Sequence, residues 1–168
     1  MYQLEQLVWE NKTSAYEQLY QQINAILMGE HYVMANLSNI SAVLYQGLEQ
    51  INWVGFYLWH NGELILGPFQ GKVACMHIAK GHGVCGTAVA TGQTQLVTDV
   101  HQFPGHIACD SASCSEIVIP MYYENKIIGV LDIDSPVVGR FDEIDQQGLE
   151  RIVEFVQKQC DWKNFRYC

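Results

Sequence analysis

The feature that most constrains this chain is a pair of apolar segments separated by two residues. Residues 116–123 read EIVIPMYY and residues 126–134 read KIIGVLDID, on either side of Glu124 and Asn125. Segments rich in β-branched and aromatic residues, joined by so short a connection, predict an antiparallel β-hairpin. The fold must therefore contain an antiparallel sheet.

Helical patterns flank this hairpin, and a second hairpin precedes it. Apolar residues recur at helical spacing through the first fifty residues, where Thr13 and Ser14 are candidate caps. The predicted elements are two helices in the first fifty residues, the second over 36–48, strands over 52–59 and 64–66, a helix over 84–91, a strand over 95–97 and a helix from about Asp142 to Cys160. This order predicts an α+β fold with a mainly antiparallel sheet and helices on one face. With 168 residues, we expect a single domain spanning 1–168.

The charge balance excludes several classes of partner. Lys and Arg number 9 against 18 Asp and Glu, which gives a formal net charge of −9. Such a chain repels phosphate backbones, so nucleic acid and anionic membrane surfaces are poor partners. The sequence has neither an apolar run long enough to span a membrane nor the apolar core of a secretory signal. Six cysteines without such a signal suit the reducing cytoplasm, where we expect the protein to reside.

Residues 67–115 concentrate metal-ligating and nucleophilic side chains. Four cysteines and four histidines fall in this segment: Cys75, Cys85, Cys109, Cys114, His77, His82, His101 and His106. Zinc sites pair ligands about two to five residues apart. Three pairs come close, Cys75 with His77, His82 with Cys85 and His106 with Cys109, but no Cys-x-x-Cys occurs. Thiol redox chemistry needs only one activated thiolate and a second thiol that the fold brings near. A structural zinc module stays an alternative, although we expect far less than one zinc per chain.

Cys109 is one candidate for such an activated thiol. It lies in Gly105-His106-Ile107-Ala108-Cys109-Asp110, a glycine-containing loop followed by serines. Free backbone N–H groups of such a loop stabilise a thiolate. An inert buried cysteine is the competing interpretation.

Acidic residues supply the second half of the candidate site. Asp132 and Asp134 stand two apart on an apolar strand, so their side chains point to one face. Glu116 opens the partner strand and is expected beside them. Burying like charges together is costly, which favours a functional role over chance. A wet sheet edge is the alternative for this face, and a core position is the alternative for Trp53 as a pocket wall.

Several segments together resemble one known family. These are NWVGFYL (52–58), LGPFQGKVAC (66–75), GHGVCGTA (81–88), DVHQFPGHIACD (99–110), SEIVIP (115–120), GVLDIDSP (129–136) and RFDEID (140–145). They look like the free methionine-(R)-sulfoxide reductases, small enzymes built on a GAF domain. The resemblance covers residues 15 to about 155. It implies a six-stranded antiparallel sheet with helices on one side and a pocket on the other.

The resemblance also implies roles for the cysteines. Cys109 falls on the nucleophile, Cys75 on the resolving thiol and Cys85 on an auxiliary thiol. Cys114 stands where we expect a polar residue without a thiol, so it is a candidate to compete in resolution. Cys160 lies outside the motifs, as does Cys168.

The remaining site residues follow from the same resemblance. The family's pocket acids correspond to Glu116, Asp132 and Asp134, and its pocket tryptophan to Trp53. Glu116 is our first choice as proton donor, with Asp134 close behind, while Asp132 is expected to hold the substrate. The other expected substrate contacts are Tyr57, two residues beyond Trp53, and Asp110, next to Cys109.

The implied reaction is reduction of free methionine-(R)-sulfoxide through a sulfenic acid and an intramolecular disulfide. Thioredoxin is the implied reductant, neither a cofactor nor a metal is expected, and a homodimer is a possibility by analogy with other GAF domains. The competing hypothesis from a different class is a GAF sensor that binds a small ligand without turnover.

Overall fold

The computed structural model describes residues 9–105 and 111–165. The elements in chain order are α1 (Lys12–Leu27), α2 (Val33–Gly47), β1 (Trp53–His60), β2 (Glu63–Gly71), β3 (His77–Ala79), α3 (Gly83–Thr91), β4 (Gln95–Val97), a short 3₁₀ helix (Val100–Gln102), β5 (Ser115–Tyr123), β6 (Lys126–Ser135) and α4 (Glu143–Gln159). The six strands of the described residues form one sheet in the order β3-β2-β1-β6-β5-β4, and all neighbours are antiparallel. The α+β class and the six-stranded sheet are confirmed.

Turn chemistry explains the two hairpins. Asn61 and Gly62 connect β1 to β2, and Glu124 and Asn125 connect β5 to β6, all with positive φ. Two consecutive residues in this region form the hairpin turns whose twist matches that of the strands. Both hairpins therefore turn at the two-residue connections that the sequence predicts.

One face of the sheet holds the main core. Side chains that alternate along β1 at Val54, Phe56 and Leu58 face this side and are completely buried. Helices α2 and α4 pack on the sheet here, and α1 packs on both of them. None of the helices in the described residues has the length and apolar character needed to cross a membrane.

The opposite face carries a second, smaller cluster. Trp53 and Tyr57 of β1 point to this side, together with Val118 and Val130 of the central hairpin. Helix α3 packs against them through Val84 and its neighbours, so three of the four described helices lie on one face and α3 lies on the other. This arrangement leaves space between α3, the sheet and the loop after β2.

A buried charge cluster joins α1 to α4. Asp145 is completely buried, and its Oδ1 accepts hydrogen bonds from Arg140 Nη1 at 3.0 Å and from the Tyr16 hydroxyl at 2.9 Å. Asp145 also pairs with Lys12 and completes a capping box with Asp142, which caps α4 as expected. The cluster fixes α4, whose other face supports β5.

Three local features differ from the sequence-based prediction. The cap of α1 is Asn11, whose side chain accepts from the Ser14 N–H at 2.9 Å, rather than Thr13 or Ser14. Strand β3 is absent from the pattern-based prediction, and β2 extends from Glu63 to Gly71 instead of ending at 66. A strand of three residues with one buried side chain has too little alternation to be seen in a sequence.

Candidate active site

A cleft lies between α3, the sheet and the loop over residues 72–76. It contains ≈ 540 Å³ of space free of protein atoms, counting its open mouth. Most of the residues that the sequence singles out line it, together with others from the loops: Trp53, Tyr57, Val73, Ala74, Ile78, His82, Gly83, Val84, Cys85, Ser113, Glu116, Asp132 and Asp134. We call it the acid cleft.

Strand register brings the three acids together. Glu116 of β5 is paired with Asp134 of β6, and Asp134 is paired on its other side with Trp53 of β1. Asp132 stands two residues before Asp134 and therefore lies on the same face, one row further along. Glu116 and Asp132 are each only 6% exposed. These strands are central in the sheet, so the acids do not lie at a wet sheet edge.

Burial determines the protonation of this group. The pKa of Glu116 lies well above its ordinary value, first because the carboxyl is buried and then because Asp132 and Asp134 place negative charge beside it. Burial also raises the pKa of Asp132, while hydrogen bonds from Cys85 and Glu116 to its carboxylate oppose the rise. Glu116 donates a hydrogen bond to Asp132, so the two carboxyl groups share one proton.

Cys85 reaches the acids from α3. Its thiol is free, buried and hydrogen-bonded to Asp132, and burial followed by the charge of Asp132 raises its pKa well above the ordinary value. The sulfur of Cys85 lies close to one carboxyl oxygen of Glu116 and one of Asp132, and these three atoms are within 4.8 Å of one another. This trio is the group in the described residues that has the geometry to hold a metal ion.

Aromatic side chains form one wall of the cleft and anchor the loop over it. Trp53 stacks on Phe69 with ring centroids 5.3 Å apart, and on Tyr57 at 5.9 Å. The Trp53 indole N–H donates to the carbonyl of Lys72 at 3.0 Å, and the Tyr57 hydroxyl donates to the carbonyl of Cys75 at 3.0 Å. The wall residues therefore hold both ends of the segment that carries Cys75.

Cys75 is disulfide-bonded and half-buried. Its partner lies outside the described residues, among which Cys85, Cys114 and Cys160 are free. Cys109 and Asp110, assigned to catalysis and to substrate binding from the sequence, also lie outside the described residues. Cys114 lies just before β5, where its thiol donates to the carbonyl of Ala112 at 3.7 Å, and it does not line the acid cleft.

Two residues of the site, Gly55 and Ser113, were not predicted from the sequence pattern. A Cβ at Gly55 would lie 2.4 Å from Phe69 Cβ and 2.7 Å from the Trp53 ring, so only glycine permits the stack at this point. A glycine between aromatic residues inside a strand is the signal that points to it. Ser113 is buried at the cleft, where its hydroxyl accepts from Asn52 Nδ2 at 3.0 Å, and the loop sequence offers no comparable signal.

Comparison with known proteins agrees with this geometry. The family model for the GAF domain matches residues 35–157. The chain is 54% identical over 158 residues to the free methionine-R-sulfoxide reductase of Escherichia coli strain K12, which covers 92% of this chain and 96% of that protein. The reduced form of fRMsr of Staphylococcus aureus superimposes with a TM-score of 0.84 and 58% identity over 86% of this chain and 94% of that one.

A further relative was solved with its substrate. Free methionine-R-sulfoxide reductase from Neisseria meningitidis, in complex with its substrate, superimposes with a TM-score of 0.91 and 42% identity over 95% of each chain. Sequence identity at this level over nearly the whole length, together with the same fold, shows a closer relationship than a shared GAF fold alone. The chain belongs to the free methionine-R-sulfoxide reductases, a family of oxidoreductases built on a GAF domain.

Proposed function

We propose that the protein reduces free L-methionine-(R)-sulfoxide to methionine in the acid cleft. The observation that carries the proposal is a buried Glu116 with a raised pKa in the same cleft whose covering loop holds the disulfide-bonded Cys75. A neutral acid is what a departing sulfoxide oxygen needs, and a disulfide is what a thiol reductase leaves after one turnover.

The proposed reaction begins at Cys109. Its thiolate attacks the sulfoxide sulfur while Glu116 donates its proton to the oxygen. The sulfur–sulfur bond formed by this attack breaks as the oxygen moves to the cysteine sulfur, so the sulfur–oxygen bond of the substrate is lost, methionine leaves, and Cys109 carries the oxygen as a sulfenic acid. The two electrons gained by the substrate sulfur are those lost by the cysteine sulfur.

Cys75 then resolves the sulfenic acid. Its thiol attacks Cys109, which forms a disulfide and releases water. An external dithiol, by family resemblance thioredoxin, reduces this disulfide and is itself oxidised to a disulfide. Cys75 is well placed for such exchange because it is half-buried on a loop held at Lys72 and Cys75 by the two aromatic side chains.

Specificity for the free amino acid is proposed to come from the remaining acids. Asp132 has one buried carboxylate oxygen, Oδ1, that lacks a hydrogen-bond partner. The ammonium group of free methionine sulfoxide supplies donors and the opposite charge, and Asp134 lies at the same cleft. A methionine sulfoxide inside a peptide has an amide in place of the ammonium, so it would leave this charge buried and unpaired.

The test is a comparison of free and N-acetylated substrates. The reduced protein receives racemic free methionine sulfoxide with a dithiol, and the stereoisomers are then separated. We expect loss of the R isomer alone, and a fall in kcat/KM of at least about 100-fold after N-acetylation, the size of an unpaired buried charge. Equal rates for both substrates would refute the ammonium assignment, and loss of neither isomer would favour a ligand sensor.

A further inference from the structure

Cys85 is a buried thiol that the proposed redox steps do not use. It is free, 3% exposed, and held on α3 against the acid pair, while the redox steps are assigned to the other two motif cysteines. Its thiol and one oxygen each from Glu116 and Asp132 lie within 4.8 Å of one another. A thiol this close to two carboxyl groups forms a donor set with them rather than an inert packing group.

A second observation indicates that this donor set lacks a ligand. Asp132 Oδ1 is buried without a hydrogen-bond partner, although Asp132 borders the acid cleft. A buried carboxylate oxygen without a partner costs free energy, and a bound cation removes that cost. The orphaned oxygen belongs to the middle residue of the trio, since Asp132 contacts both of the others.

The chemistry of the donors selects the cation. Mg²⁺ and Ca²⁺ take oxygen ligands, whereas one thiolate with two carboxylates suits Zn²⁺, which accepts both sulfur and oxygen. Tetrahedral Zn²⁺ with bonds of about 2.3 Å to sulfur and 2.0–2.2 Å to oxygen requires ligand atoms roughly 3.3–3.7 Å apart. The three ligand atoms lie within 4.8 Å of one another, so small side-chain movements bring them to this spacing. All three residues line the acid cleft, and three protein ligands leave the fourth coordination position unfilled by the protein.

We propose that Cys85, Glu116 and Asp132 form an inhibitory site for one Zn²⁺ ion at the floor of the acid cleft. The ion displaces the protons of the Cys85 thiol and of Glu116, and it occupies the place where the substrate ammonium would approach Asp132. Binding by itself does not depend on the proposed function; competition with the sulfoxide substrate rests on it.

Such a site differs from a structural zinc module. Structural sites close the metal with four protein ligands, whereas this trio supplies three, from residues that line the acid cleft. The ion is therefore expected to exchange and to be removed by a chelator.

The test uses the protein with its Cys75 disulfide intact, after treatment with a chelator. In this form Cys75 cannot ligate metal, so Cys85 is the free thiol at the cleft among the described residues. Co²⁺ is the probe because a cobalt–thiolate bond gives an intense charge-transfer absorption in the near ultraviolet. We expect one equivalent of Co²⁺ to produce this band and one equivalent of Zn²⁺ to remove it.

Matched variants locate the metal. Cys85→Ala should abolish the charge-transfer band, and Cys114→Ala, which changes a free thiol away from the cleft, should retain it. Asp132→Asn keeps the side-chain volume and should weaken Co²⁺ binding at least about tenfold. Absence of the band in the wild type, or its persistence in Cys85→Ala, would overturn the proposal.

A kinetic arm separates this proposal from the proposed function. Zn²⁺ added to the reduced enzyme should raise KM for methionine sulfoxide with little change in kcat, and a chelator should restore it. If Co²⁺ binds through Cys85 but the protein reduces neither isomer, the metal site stands and the reductase assignment fails. If the enzyme turns over but no Co²⁺ band forms, the reductase assignment stands and the metal site fails.

Discussion

Replacing Glu116 by glutamine is expected to make the protein more stable and less active near neutral pH. Glutamine has the volume of a protonated glutamic acid and can keep a hydrogen bond to Asp132, but it cannot ionise or donate a proton. The wild-type carboxyl is 6% exposed and has a pKa raised by burial and by the charges of Asp132 and Asp134. The environment that raises the pKa of Glu116 therefore also lowers the stability of the folded protein near neutral pH.

The size and sign of this cost follow from the proton balance. Above the ordinary pKa of 4.5 the unfolded chain releases the proton of Glu116, whereas the folded protein keeps it. The contribution of Glu116 to the free energy of unfolding is therefore fully present below pH 4.5, and it is lost as pH rises toward the raised folded-state pKa. Each pH unit in this window costs the wild type about 1.4 kcal/mol relative to Glu116→Gln. Above the folded-state pKa the difference becomes constant.

Urea unfolding at a series of pH values measures this difference. Glu49→Gln is the matched control, because Glu49 is exposed and its change should leave the pH dependence as it is. In parallel, Glu116→Gln should lower kcat/KM by about 10²- to 10⁴-fold, the usual contribution of a general acid. A free energy of unfolding that tracks the wild type at every pH would refute the buried, protonated state of Glu116. Unchanged kinetics would refute its role as proton donor.

Further predictions concern the neighbours of this group and the scaffold. Asp134→Asn removes a charge that raises the pKa of Glu116, so the alkaline limb of the kcat/KM profile should move to lower pH. An unchanged limb would show that the charge of Asp134 does not act on Glu116. Tyr57→Phe removes the hydrogen bond to the loop that carries the disulfide, and stopped-flow thiol quantification should show disulfide formation slowed about five- to tenfold. Asp145→Ala leaves Arg140 buried without its partner and should cost about 3–5 kcal/mol in urea unfolding, whereas a loss below about 1 kcal/mol would contradict the cluster.

The parts of the fold that the sequence predicts are those with a clear period or a defined turn. Strand alternation places Asp132 and Asp134 on one face, and the two-residue turn at Glu124 and Asn125 fixes their register with Glu116. Those relations are local in the chain, so residue pattern and turn chemistry suffice to predict them.

The features that the sequence does not predict depend on contacts between segments that are distant in the chain. Nothing near Tyr57 reveals that its hydroxyl reaches the carbonyl of Cys75, because the two meet only when β2 folds back on β1. The position of α3 opposite the other helices is equally non-local, since its apolar residues surround the helix almost evenly and give no preferred face. The contact of Cys85 with Asp132 follows from that position.

The most direct test of the proposed mechanism is a rapid-mix, single-turnover assay on three cysteine variants without external thiol. Cys109→Ser should form no methionine, because the attacking thiolate is gone. Cys75→Ser should form up to one methionine per chain and leave a sulfenic acid that a dimedone-type probe traps, yet stall with thioredoxin. Cys85→Ser should turn over almost normally. One equivalent of methionine from Cys109→Ser, with none from Cys75→Ser, would contradict the account and reverse the two roles.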